Sequence, residues 1–247
     1  MISIIIPFYN RYDLVMRRML DIHTWIPKAK YNVEIVLINN GSDPAKVEEG
    51  NIFYWQKMVG WFPVRYLKWE KNVGFGGAMN RGAEKAEGDI LCFLSDDVII
   101  KGDFLPELMT EHEKDPTALI GGEMIWWAAG WNEFEVDGKK LVVPYVNGWF
   151  LSCDKEVWKQ SGGFDPIYYP MDYEDVDLST RWHEMGYNIK ALNTSKLRHI
   201  GGATISGLGV DRMAVTQQHR QKYIMKWYEK LPEIHSRLEN KRDGRYV

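Results

Sequence analysis

Residues 2–11 read ISIIIPFYNR and residues 33–43 read VEIVLINNGSD, and these two stretches decide the fold. Each begins with a run that is apolar except for one residue, Ser3 or Glu34, and such a run is typical of a strand buried on both faces of a sheet. Residues 89–94 form a third run of this kind, and helical patterns at residues 11–25 and 76–86 separate the runs. Strands that alternate with helices predict an α/β fold with a mainly parallel central sheet and right-handed crossovers.

The overall composition narrows the class of protein before any motif is considered. The chain has 247 residues, with 34 acidic and 31 basic side chains and a formal charge of -3. This near balance argues against a protein that coats nucleic acid, because such proteins carry a clear basic excess. Apolar residues at 45% and charged residues at 26% are ordinary globular values. The unusual feature is aromatic, with 11 Trp and 13 Tyr, more than a core alone requires.

The cysteines and the lack of long apolar segments indicate the cellular compartment in which the protein is expected. Cys92 and Cys153 form neither a disulfide framework nor a Cys-x-x-Cys metal motif, so we interpret them as buried thiols of a reducing compartment. The apolar run at residues 2–7 is too short for a signal peptide and has no basic leader. No stretch reaches the roughly 18 apolar residues that a transmembrane helix needs. We therefore expect a soluble, cytoplasmic protein.

The second half of the chain changes character. Residues 134–143 predict a β-hairpin around an Asp-Gly turn, and residues 154–161 and 174–185 have helical patterns. A glycine-rich segment then precedes a helical tail. Residues 216–247 carry eight Lys or Arg against four Asp or Glu, which a solvated helix explains. Contact of this tail with an anionic acceptor or a membrane surface is the alternative.

Polar side chains follow three of the predicted strands at the points where the strands end. They are Pro7, Tyr9, Asn10 and Arg11 after the first strand, Asn39, Asn40 and Ser42 after the second, and Ser95, Asp96 and Asp97 after the third. Ligands of open parallel sheets bind beyond the carboxyl ends of the strands, so we expect these groups to converge on one site. Each group alone also suits a turn, and only the three together favour a site.

The adjacent carboxylates of Asp96 and Asp97 give the sharpest of these signals. Their charges repel each other at the end of a buried strand unless a cation compensates. Hard oxygen ligands in this position suit Mg²⁺ or Mn²⁺ bound together with substrate phosphates. The alternative is an N-cap for a helix in residues 98–104, a role that needs only one Asp.

Residues 72–82, NVGFGGAMNRG, form a glycine-rich turn that opens a predicted helix. Backbone N–H groups at such a turn can approach an anion such as a phosphate. The spacing matches neither the dinucleotide GxGxxG motif nor the P-loop, so neither a dehydrogenase nor a P-loop protein is indicated. Close packing of the helix on the sheet explains Gly76 and Gly77 equally well.

Residues 173–182, YEDVDLSTRW, place three carboxylates in the first turn of a predicted helix. Acidic side chains there complement the helix dipole, but one or two would suffice. Three of them after a stretch rich in Tyr and Pro favour a general base beside a sugar-sized pocket. A lone His such as His199 is usually structural, and it joins the site only if it shares a metal with Asp97.

Taken in order, these segments resemble the family 2 glycosyltransferases of the GT-A fold, closest to the rhamnosyltransferase-like branch. The matching segments cover residues 1–202 and read SIIIPFYNR, INNGSD, KNVGFGGAMNRG, FLSDDV, NGWFLSCDKEVWKQSGGFDPIYYPMDYEDVDLSTRWHEMGY and RHIGG. The resemblance implies a GT-A domain over residues 1–202, with a Rossmann-like sheet flanked by helices and a small antiparallel hairpin. Residues 203–247 would form a glycine-rich lid and a helical C-terminal tail packed on the same domain.

The resemblance also implies roles for matching positions. Asp97 of the DxD-like motif and His199 would bind Mn²⁺ or Mg²⁺. Asp175 would be the catalytic base, and Glu174 would orient the acceptor or the base. The nucleotide-sugar pocket would comprise Pro7, Tyr9, Asn10, Arg11, Asn39, Asn72, Gly76, Asn80, Ser95 and Asp96. The aromatic surplus, and not the resemblance, suggests an acceptor platform at Trp149, Tyr173 and Trp182, with Trp126, Trp127 and Trp131 as further candidates, because sugar rings stack on such side chains. Core packing is the alternative for each of them.

These roles imply an inverting, metal-dependent enzyme that transfers a sugar from a nucleoside-diphosphate sugar to a hydroxyl of a carbohydrate or glycoconjugate acceptor. UDP and dTDP donors are favoured, and the glycine-rich segment at residues 201–209 would close over the donor and exclude water. One alternative is a sugar-phosphate nucleotidyltransferase, although its basic phosphate loop is replaced here by PFYNR. The other is a non-catalytic protein that binds carbohydrate or nucleotide sugar.

Overall fold

Strands and helices alternate through the first half of the chain, as the apolar runs predict. The computed structural model describes residues 1–48, 52, 57, 61–126, 131–201 and 209–243, with side chains to residue 239. The strands are β1 (Ile2–Phe8), β2 (Val33–Asn40), β3 (Val64–Trp69), β4 (Ile90–Leu94), β5 (Val98–Ile100), β6 (Leu119–Gly121), β7 (Met124–Ile125), β8 (Glu133–Val136), β9 (Lys139–Val142), β10 (Tyr145–Val146), β11 (Phe150–Asp154), β12 (Ile189–Ala191) and β13 (Leu197–His199). The helices are α1 (Tyr12–Trp25), α2 (Gly74–Lys85), α3 (Leu105–Lys114), α4 (Lys155–Ser161), α5 (Glu174–Glu184), α6 (Arg212–Trp227) and α7 (Leu231–Asp243).

Seven strands form one sheet in the order β12-β6-β11-β4-β1-β2-β3. The apolar runs supply its centre, where β1 runs parallel to both β2 and β4, and β2 runs parallel to β3. Only β11 reverses the direction, because it pairs antiparallel with β4 and β6. The predicted fold class, an α/β domain with a mainly parallel sheet, is therefore confirmed.

The sheet is buried on both faces, as its mainly apolar strands predict. Side chains alternate along a strand, so Ile4 and Ile6 of β1 point into one core cluster while Ile5 points into the other. Helix α1 covers the first face and helix α2 covers the second. Gly82 lets α2 lie close to the sheet, since a Cβ there would be only 2.5 Å from Ile5 and 2.6 Å from Ile38.

Three small antiparallel sheets join the periphery. The predicted hairpin forms from β8 and β9 around Asp137 and Gly138, both at positive φ. Strand β7 pairs with β10. Strand β5 pairs with β13, which places the end of the chain's last strand beside the residues that follow β4.

The C-terminal helices pack on the same body of protein. A third cluster of buried side chains combines the hairpin, helix α5 and the tail, with Tyr223, Trp227, Leu231 and Ile234 contributed by α6 and α7. The predicted division of the chain at residue 202 stays a prediction. Among the described residues, no helix is both long enough and apolar enough to span a membrane. Cys92 and Cys153 are buried and free, and burial raises the pKa of both thiols.

Candidate active site

A cavity of about 650 Å³ opens at the carboxyl edge of the sheet, beyond the ends of β1, β2 and β4. Ten of the residues that the sequence proposed line this cavity. They are Pro7, Tyr9, Asn72, Ser95, Asp96, Asp97, Trp149, Glu174, Asp175 and His199. Parallel strands thus deliver their turn residues to a single place, and residues from the second half of the chain close the opposite wall.

One wall of the cavity holds Asp97 and His199 side by side. The pairing of β5 with β13 sets His199 opposite Val98, and the N–H of Ile200 donates to the carbonyl of Asp97 over 3.1 Å. The Nε2 atom of His199 then lies 3.3 Å from Oδ1 of Asp97. Because residues 98–100 are a strand, the alternative of a helix N-cap for the Asp pair is wrong.

Two neighbours fix the orientation of these groups. Ser95, in the position of the motif's first acid, donates its hydroxyl to Oδ1 of Asp97 over 2.6 Å. The indole of Trp149 stacks on the His199 ring, with centroids 5.4 Å apart and planes within 10°. Trp149 also packs over Gly122, where a Cβ would be 2.1 Å from the indole. The carboxylate and the imidazole therefore face the cavity from a packed wall.

The opposite wall carries Asp175 in the first turn of α5. Its Oδ1 accepts a hydrogen bond from the backbone N–H of Val176 over 2.8 Å. Its Oδ2 accepts one from the backbone N–H of Gly148 over 2.9 Å. A Cβ at Gly148 would lie 3.3 Å from the Cβ of Asp175, so the glycine allows this close approach. Two backbone donors thus hold the carboxylate in one orientation at the cavity surface.

Burial sets the electrostatics of the adjacent acids. It raises the pKa of Asp175 to about 6, against the two backbone hydrogen bonds that lower it, and the charge of Asp172 adds to the rise. Burial and then the neighbouring Asp175 hold the pKa of Glu174 well above its usual range. Oε2 of Glu174 is buried and finds no hydrogen-bond partner among the described residues. A carboxylate with a pKa near neutrality is suited to accept a proton.

The two residues just before strand β11 connect the Asp97 side of the cavity with the Asp175 side. The carbonyl of Trp149 accepts from the N–H of Ser95 over 3.0 Å on the side of the Asp pair. The preceding residue, Gly148, donates to Asp175 on the other side. Because β11 is antiparallel to its neighbours, its beginning reaches the edge at which the parallel strands end.

The end of β2 reaches the cavity through Asn40 and not through Asn39. Asn39 is 1% exposed, its amide donates to the hydroxyl of Tyr66, and its Oδ1 accepts from the N–H of Ser42. Asn40 lines the cavity and binds the glycine-rich turn, since it donates to Asn72 and accepts from the N–H of Val73. The side chain of Asn39, which was proposed for the nucleotide-sugar pocket, therefore lies away from the cavity.

Four more of the proposed donor residues are used within loops and packing. Asn10 accepts from the N–H of Asp43, which joins the loops after β1 and β2, and Arg11 pairs with Asp13. Asn80 exchanges two hydrogen bonds with the backbone of Phe164, and a Cβ on Gly76 would be 2.9 Å from that residue. None of these four lines the described cavity, and close packing accounts for the glycine.

Two of the proposed acceptor aromatics are core residues. Tyr173 and Trp182 are fully buried. The Tyr173 hydroxyl donates to the carbonyl of Trp131, and the Trp182 indole donates to the carbonyl of Thr117. The helical phase of α5 explains the burial of Trp182, because the side of α5 that carries Trp182 faces the sheet, whereas Tyr173 precedes the helix and packs in the third core cluster. Trp131 and Trp149 line the cavity, whereas Trp127 and residues 202–208 of the proposed lid lie outside the described residues.

Several residues of the cavity wall were not predicted from the sequence. They include Tyr145, Asn147, Gly148, Asp172 and Arg212. The Asn147-Gly148 pair before β11 carried a turn signal that could have been used. Arg212 begins the tail helix, and nothing in the local sequence pairs it with Asp172, forty residues earlier.

The architecture is the GT-A fold, which solved structures of glycosyltransferases share. A crystal structure of GalNAc-T7 with UDP, GalNAc and Mn2+ superposes with a TM-score of 0.71, covering 94% of this chain and 48% of that chain at 18% identity. The mannosyltransferase PcManGT from Pyrobaculum calidifontis, in complex with GDP-Man and Mn2+, gives 0.58, covering 77% of this chain and 54% of that chain at 15% identity.

The family follows from the sequence itself. The model of glycosyl transferase family 2 matches residues 3–160, and the chain belongs to that family. The uncharacterized glycosyltransferase YfnE of Bacillus subtilis (strain 168) is 23% identical over 184 residues, which is 71% of this chain and 45% of that protein. The chain thus spans less than half the length of this relative and of GalNAc-T7.

Proposed function

We propose that the chain transfers a sugar from a nucleoside-diphosphate sugar to a hydroxyl of a carbohydrate or glycoconjugate acceptor, with inversion at the anomeric carbon. The observation that carries this proposal is that Asp97, His199 and Asp175 all line one cavity, with Asp97 and His199 in direct contact. A cavity of about 650 Å³ is of the size that holds a nucleotide-sugar ligand. Membership of glycosyl transferase family 2 supports the reaction class.

The donor set suits a divalent cation that is completed by the substrate. Among the described residues no cluster of three or more His, Cys, Asp or Glu could hold a metal alone. Asp97 and His199 offer one carboxylate and one imidazole, and Mg²⁺ or Mn²⁺ commonly takes its other ligands from phosphates and water. When bound there, the cation would neutralise charge on the departing diphosphate. GalNAc-T7 and PcManGT, both crystallised with Mn2+, support this assignment.

Asp175 is the proposed general base. Its carboxylate takes the proton of the acceptor hydroxyl while the acceptor oxygen forms a bond to the anomeric carbon. The bond from that carbon to the diphosphate oxygen breaks, and the nucleoside diphosphate leaves with the electron pair. Attack from the face opposite the leaving group inverts the anomeric centre. The backbone donors at Gly148 and Val176 keep the carboxylate oriented throughout this step.

The remaining wall suits the sugar-bearing parts of the substrates. Trp131, Tyr145 and Trp149 give the cavity aromatic surface, on which the apolar C–H faces of sugar rings can pack. Pro7, Tyr9 and Asn40 form the part of the wall nearest the first strands, where we place the nucleoside.

A screen of nucleotide sugars tests the proposal. The protein is incubated with UDP-, dTDP- and GDP-sugars in Mn²⁺, in Mg²⁺ or in EDTA, and thermal shift and nucleotide release are recorded. We expect stabilisation and release with one nucleotide class in the presence of the cation, and loss of release in EDTA. Undiminished release in EDTA would remove Asp97 and His199 from their metal role. Tight binding without release would favour a non-catalytic binding protein.

The variant Asp175→Asn tests the base. Because an amide cannot take the proton, we expect the rate to fall by about 10³-fold while donor affinity stays within about threefold. Rate is measured by nucleotide release and affinity by calorimetry. The matched control is Asp137→Asn in the exposed hairpin turn, a left-handed position that Asn also favours, and it should behave as wild type. A parallel loss of donor affinity in the Asp175 variant would instead indicate a structural or metal-binding residue.

A further inference from the structure

The segment just before the proposed base has an unfavourable backbone. Asp172 and Tyr173 both adopt positive φ, 68° and 75°. For residues with a Cβ this conformation costs on the order of 1 kcal/mol each, and it persists only where surrounding contacts impose it. Glu174 and Asp175 follow at once, so the position of the proposed base depends on this turn.

Helix α6 supplies the contacts that hold the turn. The Asp172 carboxylate is 9% exposed and accepts from Nε and Nη2 of Arg212 over 3.0 and 2.8 Å. The hydroxyl of Thr216 donates to the same carboxylate over 2.6 Å. A bidentate guanidinium and a hydroxyl on one carboxylate fix both the place and the rotation of that side chain.

A buried histidine holds the backbone of the same turn. His219 is 1% exposed, and its Nδ1 lies 2.9 Å from the carbonyl of Met171 and 3.1 Å from that of Asp172. Carbonyl oxygens only accept, so Nδ1 carries the proton. Arg212, Thr216 and His219 are spaced i, i+4 and i+7, which places all three on one face of α6. We call this face the α6 clamp.

We propose that the α6 clamp is the positioning device for Asp175, acting through the turn at Asp172 and Tyr173. This proposal deepens the function proposed above and rests on it for its kinetic consequence. The clamp lies in the tail, beyond the residues that the family model matches. Thr216 and His219 do not line the cavity, so their effect on the reaction passes through the turn and not through the substrate.

The variant Thr216→Val tests the clamp. Valine has the shape of threonine but cannot donate to Asp172, and a displaced base should lower kcat by about tenfold or more. We expect the donor KM to stay within about twofold and the melting temperature within a few degrees. Thr216→Ser retains the hydroxyl and should recover most of kcat. Thr110→Val removes a similar helix hydroxyl on α3, remote from the cavity, and should leave kcat unchanged.

Amide hydrogen exchange provides a readout that does not depend on activity. The N–H groups of Gly148 and Val176 donate to Asp175, so a loosened turn should speed their exchange by about tenfold in Thr216→Val and not in Thr110→Val. Unchanged exchange would overturn the clamp, whether or not the protein transfers sugar. Loss of donor affinity in step with kcat would overturn it as well, because it would make α6 part of the donor site. If exchange speeds up in a protein that releases no nucleotide, only the proposed function fails.

Discussion

Asp175 combines two tendencies that oppose each other. Two backbone N–H groups stabilise its charged form, whereas burial and the charge of Asp172 destabilise it. Burial outweighs the backbone hydrogen bonds, so the pKa of the carboxyl rises to about 6. The group is therefore charged at neutral pH and yet basic enough to take a proton from a hydroxyl.

This balance predicts the pH dependence of the reaction. The base works only as the carboxylate, so kcat/KM should fall about tenfold per pH unit below an apparent pKa of about 6. Asp172→Asn removes a charge that raises this pKa, so the acid limb should move to lower pH, while the lost ion pair with Arg212 should also lower the plateau of the profile. The pH profiles of nucleotide release for both proteins check this. An acid limb near 4 in the wild type would mean that burial does not govern this carboxyl.

Single positions mark the limit of sequence reasoning at the residue scale. The pattern predicted a general base among three carboxylates at the start of a helix, and the resemblance to the family selected Asp175 among them. It chose Asn39 over Asn40, because which of two adjacent residues faces the cavity depends on the pleat at the end of β2. It placed Trp182 at the acceptor site, whereas the helical phase of α5 turns this side chain into the core.

Among the elements, α2 shows how closely a helix can be seated on a sheet. Gly82→Ala would place a Cβ 2.5 Å from Ile5 and 2.6 Å from Ile38, both buried and β-branched. Overpacking of this kind costs about 1–3 kcal/mol and outweighs the roughly 1 kcal/mol that Ala gains in helix propensity. We expect a melting temperature lower by a few degrees, measured by circular dichroism.

Gly77→Ala on the same helix is the control. Its Cβ would meet only the side chain of Val73, at 3.2 Å, and Val73 is a partly exposed loop residue that can yield. The melting temperature of this variant should change little. Equal losses in both variants would mean that flexibility of α2, and not its distance from the sheet, explains the glycines.

The order of elements was predictable where each strand carries its own signal. Mainly apolar runs identified β1, β2 and β4, and the Asp-Gly turn identified the hairpin. The pairing of β5 with β13 was not predictable, since each is three residues long and they are almost one hundred residues apart. That pairing creates the Asp97 and His199 wall, so the resemblance to a family was needed to connect the two residues.

For the whole molecule, the third core cluster makes the tail part of the fold. Tyr223 of α6 is fully buried, packs on Phe134 and bonds the hydroxyl of Thr180. Tyr223→Ala should cost about 3–5 kcal/mol and lower the melting temperature by about 10 °C. Circular dichroism and tryptophan fluorescence should report one common transition, because tail and sheet share a core.

The control for this loss is Tyr228→Ala. Tyr228 lies just beyond the end of α6, and its side chain is exposed. It should shift the melting temperature by no more than a few degrees. Two separated transitions in the Tyr223 variant would contradict a single cooperative unit and would make the tail an independent element.

The reversed strand β11 has a consequence for how this molecule can change over time. The separation of the two reacting walls depends on main-chain groups, the carbonyl of Trp149 toward Ser95 and the N–H of Gly148 toward Asp175. Main-chain groups survive most amino-acid replacements. Under the proposed function, side chains of the cavity wall such as Tyr145 and Trp131 can therefore change to suit new substrates while the spacing between Asp97 and Asp175 stays constant. Under that proposal, substrate preference can evolve while the main-chain hydrogen bonds of Gly148 and Trp149 are retained.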